Sequence, residues 1–128
     1  MNKKLDPFYP IVDKADWLPR LLPLGVKLIQ LRMKDRAGHV PDVATCRAEI
    51  IRARNLCKAH SCQLIVNDFW QIAIDEGCDY VHLGQEDLDN ADLAAIRKAN
   101  IRLGLSTHDE AELERALACS PDYIALGP

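Results

Sequence analysis

The chain has 128 residues, enough for one domain with a substantial core and too few for two. Its composition, 48% hydrophobic and 27% charged, is typical of folded, water-soluble proteins. The formal net charge of −3 argues against a nucleic-acid partner, because such proteins normally carry a basic excess. No apolar run approaches the ~20 residues that cross a bilayer, and no signal-peptide core follows the basic start, so we expect a cytoplasmic protein without membrane contact.

The cysteines indicate a reducing environment. Their number is odd, and none are spaced as C-x-x-C, so neither a disulfide framework nor a zinc site is indicated. We expect small buried thiols. The five are Cys46, Cys57, Cys62, Cys78 and Cys119.

Short apolar runs alternate with segments of helical periodicity along the chain. The predicted strands are 9–13, 27–34, 62–68, 80–85, 102–107 and 122–126. The predicted helices are 16–24, 41–59, 69–76, 91–99 and 109–119. We expect Asp89 or Asn90 to cap the fourth helix and Thr107 to cap the fifth, with Glu110 at its capping-box position. The chain is therefore β-α repeated five times, followed by a sixth strand.

This alternation predicts an α/β fold with a parallel sheet. A Rossmann-type sheet should have G-x-G-x-x-G after its first strand, but residues 13–16 contain no glycine. Polar groups follow four successive strands, which favours a TIM (β/α)₈ barrel with one site at the carboxyl ends of its strands. Eight repeats need about 200 residues or more. We therefore expect residues 1–128 to form a single domain, the N-terminal portion of such a barrel with strands 1–6.

The second strand carries Gln30, Arg32 and Lys34 at alternate positions, so their side chains share one face. Two cations beside an amide suit a phosphate or pyrophosphate, because arginine offers a planar fork and lysine a point charge. The alternative is an exposed edge strand with solvated charges. An edge strand would not explain why other strands also end in polar groups.

Carboxylates follow the third and fourth strands. Asn67 and Asp68 end the third strand, and Asp87 follows the fourth. Oxygen ligands in this small number suit Mg²⁺, which keeps several waters and takes one or two carboxylates plus substrate phosphates. Both aspartates also precede helices and have the alternative role of caps. Periodicity alone does not choose between Glu86 and Asp87 as the ligand.

Hydroxyls end the fifth strand. Ser106 and Thr107 precede a helix N-terminus, where hydroxyls and free N–H groups favour an anion. His82 lies within an apolar strand and is more typical of a core histidine, while His108 is left unassigned. No nucleophile or acid–base residue is evident. The chemistry that fits is departure of a pyrophosphate stabilised by cations and a metal.

These motifs together resemble the thiamine-phosphate synthase (thiamine-phosphate pyrophosphorylase) family, from about Tyr9 to the last residue. The motifs are Gln30 to Lys34, Asn67-Asp68, Val81 to Asp87, Gly104 to His108 and Asp122 to Pro128. As a set they are highly specific. The resemblance implies a Mg²⁺-dependent TIM-barrel transferase of thiamine biosynthesis. Such an enzyme joins 4-amino-2-methyl-5-(diphosphooxymethyl)pyrimidine to thiazole phosphate, giving thiamine phosphate and pyrophosphate.

The resemblance also implies residue roles. Gln30, Leu31, Arg32, Met33 and Lys34 would bind the pyrimidine pyrophosphate, with Arg32 and Lys34 on its oxygens. Asn67 would contact the same substrate, and Ser106 would bind near the leaving group. Asp68 and Asp87 would hold Mg²⁺, which selects Asp87 over Glu86.

The family continues past the Gly-Pro pair into a threonine-rich loop, a lysine and phosphate loops that serve the thiazole phosphate. The 128 residues do not include them, so we expect this polypeptide alone to be inactive, or completed by another chain. Two alternatives remain: a thiazole tautomerase-like relative, and an inactive truncated barrel that binds a phosphorylated ligand. The oligomeric state is open, with a homo-oligomer among the possibilities.

Overall fold

The computed structural model of the protein describes residues 4–127. The ends of the predicted domain, residues 1–3 and Pro128 of the last quoted motif, lie outside that range. The strands are β1 (Ile11–Val12), β2 (Leu28–Leu31), β3 (Gln63–Asn67), β4 (Tyr80–Leu83), β5 (Arg102–Thr107) and β6 (Tyr123–Leu126). The helices are α1 (Leu18–Leu21), α2 (Val43–Ala59), α3 (Trp70–Asp75), α4 (Gln85–Asn90), α5 (Leu93–Lys98) and α6 (Glu110–Ala118). Single 3₁₀ turns, Ala15–Trp17 and Leu22–Leu24, flank α1.

All six strands are parallel and pair in the order of the sequence. The α/β class and the parallel sheet are confirmed. In a flat sheet, five spacings of ~4.8 Å would hold the outer strands about 24 Å apart. The hydroxyl of Tyr9, just before β1, nevertheless lies 2.6 Å from that of Tyr123 at the start of β6. The sheet is therefore strongly curled, and both tyrosines lie on its concave face.

The two faces of the sheet have different partners. On the convex face, side chains such as Ile29, Val66 and Leu105 pack against buried positions of the helices to form the main core. In α2 those positions are Cys46, Ile50, Ala53 and Cys57, as the periodicity predicts. Val43 fits the same periodicity, but it lies at the first position of α2 and is 66% exposed.

A smaller apolar cluster lies on the concave face. Leu28, Ile65 and Tyr80 are buried there, against Tyr9 and Tyr123. Alternate positions on the same strands, two residues nearer the carboxyl ends, are polar: Gln30, Asn67 and His82. The concave side is thus apolar at one end of the strands and polar at the other.

Residues in the left-handed backbone conformation follow several helices and turn the chain back towards the sheet. Ser61, Gly77 and Asn100 have φ values of 54°, 71° and 60°. After each, the chain closes a Schellman-type bond, as from Cys62 N to Cys57 O at 2.9 Å and from Cys78 N to Ala73 O at 2.9 Å. These ends fix where β3, β4 and β5 begin, and so align their carboxyl ends.

Two boundaries differ from the sequence prediction in ways that affect the site. The fourth predicted helix, 91–99, corresponds to α5, which is capped by Asp92, and Asp92 accepts from Ala95 N at 3.0 Å. A further helix that was not predicted, α4, precedes it and begins directly after Gly84. The prediction that Asp89 or Asn90 is the cap was wrong, because both lie inside α4. Thr107 is not a cap either: its hydroxyl donates to Ala125 O at 3.0 Å, and Asp109 caps α6.

The cysteines are free thiols, and four of them are buried, as predicted. Burial raises the pKa of Cys46 and, to about 11, that of Cys78. We expect a disulfide reagent at neutral pH to modify the half-buried Cys119 within minutes and to leave Cys46 unmodified until the protein unfolds. Mass spectrometry of labelled peptides, with and without guanidinium, measures this. Rapid labelling of Cys46 in the folded protein would contradict the packing of α2 described above.

Candidate functional site

Polar side chains from four strands converge at the carboxyl ends of the sheet. A cavity of about 360 Å³ lies there. Its lining includes Arg32 and Lys34 after β2, Asn67 at the end of β3, Asp87 in α4, and Ser106 in β5. The predicted convergence at one edge of the sheet is therefore observed for these five residues.

A larger cavity, about 520 Å³, lies at the amino ends of β3 and β4, between α2 and the residues that precede β4. It is lined by Cys57, Cys62 and Cys78 together with Arg54 and Glu76. Arg54 donates to the Glu76 carbonyl at 2.6 Å, so these charges already have partners. The smaller cavity is the better candidate site, because its charged side chains include cations without such partners.

The two cations of the cavity are available for an anion. Among residues 4–127, neither Arg32 nor Lys34 has a carboxylate within ion-pair distance. Arg32 is exposed and Lys34 is half-buried. Leu31 and Met33, which alternate with them, have buried side chains in the main core. Within the range Gln30 to Lys34, the alternate polar side chains therefore face the concave side, and Arg32 and Lys34 line the cavity.

Asp68 follows β3 in an unusual backbone conformation. Both Asp68 and Phe69 have positive φ, 59° and 42°, which is rare for residues other than glycine and costs ~1–3 kcal/mol each. The Asp68 amide donates to the His82 carbonyl at 2.9 Å. This turn directs the Asp68 carboxylate towards Asp87, and strain of this kind is typical of functional sites.

Asp68 and Asp87 form a carboxylate pair. Burial raises the pKa of Asp68, and the charge of Asp87 raises it further, while Lys34 acts in the opposite direction. Asp87 is held in place because its Oδ2 accepts from Gly84 N at 2.8 Å. Its neighbour Glu86 also lines the cavity but is exposed. Two adjacent carboxylates, one of them hard to ionise, favour a cation between them.

A hydrogen-bonded chain of side chains runs along the concave face. Asn67 Nδ2 donates to Gln30 Oε1 at 2.9 Å, and Gln30 Nε2 donates to the Tyr9 hydroxyl at 2.8 Å. The Tyr9 hydroxyl lies 2.6 Å from that of Tyr123. The side chain of His82 continues the chain, as described next.

His82 has partners on both ring nitrogens. Nδ1 lies 2.5 Å from the Tyr123 hydroxyl, and Nε2 lies 2.6 Å from Ser106 Oγ. The residue is 5% exposed, as expected for a core histidine. Burial lowers the pKa of His82 to about 4, so the imidazole is neutral at neutral pH. Its contact with Ser106 was not predicted from the sequence.

Tyr9 and Tyr123 were also missed. The signal that would have found Tyr123 is its place at the start of β6, on the face that its neighbour Gly104 leaves open. His108 lies at the rim of the cavity, where Nδ1 contacts Glu112 Oε1 at 2.8 Å. The sequence alone assigns no role to this histidine.

No helix among residues 4–127 is both long and apolar enough to cross a membrane. Within the same residues, no three His, Cys, Asp or Glu side chains are grouped so that they could hold a metal by themselves. A cation at the Asp68–Asp87 pair would therefore complete its coordination with water or ligand oxygens.

Known proteins share both the sequence and the fold. The family model described as thiamine monophosphate synthase matches residues 8–128. A thiamine-phosphate synthase of Rhizobium etli is 66% identical over 125 residues, which is 98% of this chain and 59% of that protein. A thiamine-phosphate synthase of Serratia proteamaculans is 52% identical over 119 residues, covering 93% of this chain and 54% of that protein.

The solved structure of a thiamine phosphate pyrophosphorylase from Pyrococcus furiosus superimposes with a TM-score of 0.77. It is 22% identical and is matched over 94% of this chain and 59% of its own, so it supports the fold. The chain spans between half and three fifths of the length of these relatives. By its match to the family model and its identity to these synthases, the chain belongs to the thiamine monophosphate synthase family.

Proposed function

We propose that residues 1–128 are one domain, the first six strands of a TIM-type (β/α)₈ barrel, in a thiamine-phosphate synthase. The reaction would join 4-amino-2-methyl-5-(diphosphooxymethyl)pyrimidine to thiazole phosphate and release pyrophosphate. The six parallel strands in sequence order and the curled sheet support the barrel. The family match supports the reaction. This chain would supply the site for the pyrimidine pyrophosphate.

The observation that carries the proposal is that Arg32 and Lys34, which have no ion-pair partner among residues 4–127, line one cavity together with Asp87, and that Asp68 lies beside Asp87. Arg32 would bind two pyrophosphate oxygens with its guanidinium fork, and Lys34 would add a positive charge close to Asp68. Asn67 and Ser106, also in the lining, would contribute uncharged contacts to the same substrate. Cations at these positions stabilise the negative charge that grows on a departing pyrophosphate.

Mg²⁺ is the cofactor we propose. Asp68 and Asp87 would hold it, and the raised pKa of Asp68 beside a second carboxylate is the observation that fits. The donor set is hard oxygen and too small for a closed site, as expected for a metal shared with substrate phosphates. When bound, Mg²⁺ would neutralise charge on the leaving group.

The chain's residues would contribute binding and orientation, without a catalytic acid or base. His82, the buried imidazole closest to the site, is neutral at neutral pH and has both nitrogens engaged. Gln30 would hold the Asn67 amide in place through their hydrogen bond, and Asn67 would position the substrate. Such a site accelerates the reaction by holding the leaving group among fixed positive charges.

The proposal is tested by calorimetric titration of the protein with the pyrimidine pyrophosphate, with Mg²⁺ and with EDTA. We expect binding only with Mg²⁺. Arg32→Ala and Lys34→Ala should each weaken it about 10–100-fold, since a hydrogen bond to a charged group contributes ~1.5–3 kcal/mol. Arg20→Ala removes an exposed cation from α1, away from the cavity, and should have no effect. A tautomerase-like relative would take up little pyrimidine pyrophosphate, so absence of binding would contradict the proposal.

A further inference from the structure

The chain of hydrogen bonds on the concave face begins and ends at the cavity. Asn67 at one end and Ser106 at the other both line it. Between them lie Gln30, Tyr9, Tyr123 and His82, joined by five contacts of 2.5–2.9 Å. Among residues 4–127, no buried side-chain nitrogen or oxygen lacks a partner. The hydrogens of this chain must therefore be arranged consistently from one end to the other.

The amide of Gln30 sets the direction of that arrangement. Its Oε1 accepts from Asn67, so its Nε2 donates to the Tyr9 hydroxyl. The Tyr9 oxygen is then an acceptor, and its single hydrogen points to Tyr123, 2.6 Å away. Tyr123 in turn has its hydrogen left for His82 Nδ1. Each hydroxyl accepts from one side and donates to the other.

The direction fixes the tautomer of His82. Because Nδ1 accepts from Tyr123, a neutral ring carries its hydrogen on Nε2, which donates to Ser106 Oγ at 2.6 Å. The hydroxyl hydrogen of Ser106 is then not needed for any hydrogen bond of this network and can be donated to a ligand. If Tyr123 donated to Tyr9 instead, the Tyr9 oxygen would accept from both Gln30 and Tyr123. The hydroxyl hydrogen of Tyr9 would then have no acceptor in this network of side chains.

We propose that His82 is a positioning residue that, by donating from Nε2 to Ser106, turns the Ser106 hydroxyl into a hydrogen-bond donor towards an anionic ligand oxygen in the cavity. This deepens the proposed function and rests on it, because the ligand is a pyrophosphate. If the hydroxyl hydrogen of Ser106 pointed to the imidazole instead, the lone pairs of the serine oxygen would face the anion and repel it. The network thus selects for a negatively charged group at Ser106 without placing a charge there.

The tautomer is measured directly by long-range ¹H–¹⁵N correlation spectra of the histidine rings. We expect the His82 signals to report a hydrogen on Nε2 and none on Nδ1. A His82→Gln variant identifies the signals. A hydrogen on Nδ1 would overturn the proposal, whether or not any ligand binds.

Binding of inorganic pyrophosphate with Mg²⁺ tests the consequence. His82→Asn keeps an amide near Tyr123 but is too short to reach Ser106, while His82→Gln places an amide near the Nε2 position. We expect about tenfold weaker binding for His82→Asn and for Ser106→Ala, and near-normal binding for His82→Gln. Thermal unfolding of each variant separates loss of fold from loss of binding.

The double variant His82→Asn/Ser106→Ala decides between positioning and mere packing. If His82 acts through Ser106, the double variant should bind no more weakly than Ser106→Ala alone. Independent, additive losses would overturn the role of His82 while leaving the pyrophosphate site intact. If the unmodified protein binds no pyrophosphate with Mg²⁺, the proposed function fails, and the ligand-directed role of Ser106 fails with it.

Discussion

Gly104→Ala is expected to destabilise the protein by about 1–3 kcal/mol and to disconnect His82 from Tyr9. A Cβ at position 104 would overlap two ring carbons of Tyr123, Cζ and Cε2, and its hydroxyl oxygen. Gly104 is paired with His82 on one side and with Tyr123 on the other, so the ring lies directly over the glycine. The backbone of Gly104 is not in the left-handed region, so the expected effect comes from overlap alone.

The Tyr123 ring is confined by its neighbours. It stacks on His82 with centroids 5.5 Å apart and meets Tyr9 edge-on at 5.9 Å. Displacing it lengthens both hydroxyl contacts at once. Chemical denaturation of the wild type and of Gly104→Ala, each also in a Tyr123→Leu background, measures the coupling. We expect most of the cost to vanish with Tyr123→Leu, and an equal cost in both backgrounds would show that the ring is not responsible.

The sequence predicts best those site residues that lie at alternate positions of one strand. Gln30, Arg32 and Lys34 share a face because side chains alternate along an extended chain, and this holds although β2 ends at Leu31. The fifth predicted strand, 102–107, a short apolar run that ends in hydroxyls, likewise has its observed bounds, Arg102–Thr107. Local rules suffice here because the relevant residues lie within one element.

Helix α4 was missed because the capping signals compete. Asp89, Asn90 and Asp92 are all good N-cap residues, whereas the true start, Gly84, is a weaker one. Its helix is stabilised from within, by the Asp87 carboxylate on the Gly84 amide. A carboxylate three residues after the cap was the available signal.

The contacts that complete the site are not local. Tyr9 and Tyr123 are 114 residues apart in sequence and meet only because the sheet curls. His82 and Ser106 lie on adjacent strands, and the other ring nitrogen of His82 contacts Tyr123, for which the glycine at position 104 leaves room. Sequence periodicity assigns each of these side chains to a face, but it does not say which of them touch.

Asp68→Asn is expected to stabilise the protein without metal and to abolish its stabilisation by Mg²⁺ with pyrophosphate. In the folded protein the pKa of Asp68 lies above its ordinary value, first through burial and then through Asp87. The folded state therefore binds this proton more tightly than the unfolded state does. The associated stability is fully present below the ordinary pKa of an aspartate and is lost as pH rises through the raised value. At neutral pH the ionised pair destabilises the fold, and the amide removes that repulsion.

Thermal unfolding between pH 4 and 8, with EDTA and with Mg²⁺ plus pyrophosphate, measures both effects. At a ligand concentration 100 times Kd, the free energy of unfolding of the wild type should rise by about 2.7 kcal/mol. For a domain of this size, each kcal/mol raises Tm by roughly 3–5 °C. Asp68→Asn and Asp87→Asn should lose most of that gain. Glu86→Gln should keep it if Asp87 is the ligand, and Glu114→Gln, an exposed change on α6, controls for net charge. Equal stabilisation of the wild type and Asp68→Asn by Mg²⁺ would mean that the cation binds elsewhere, and the strained turn at Asp68 would then need another explanation.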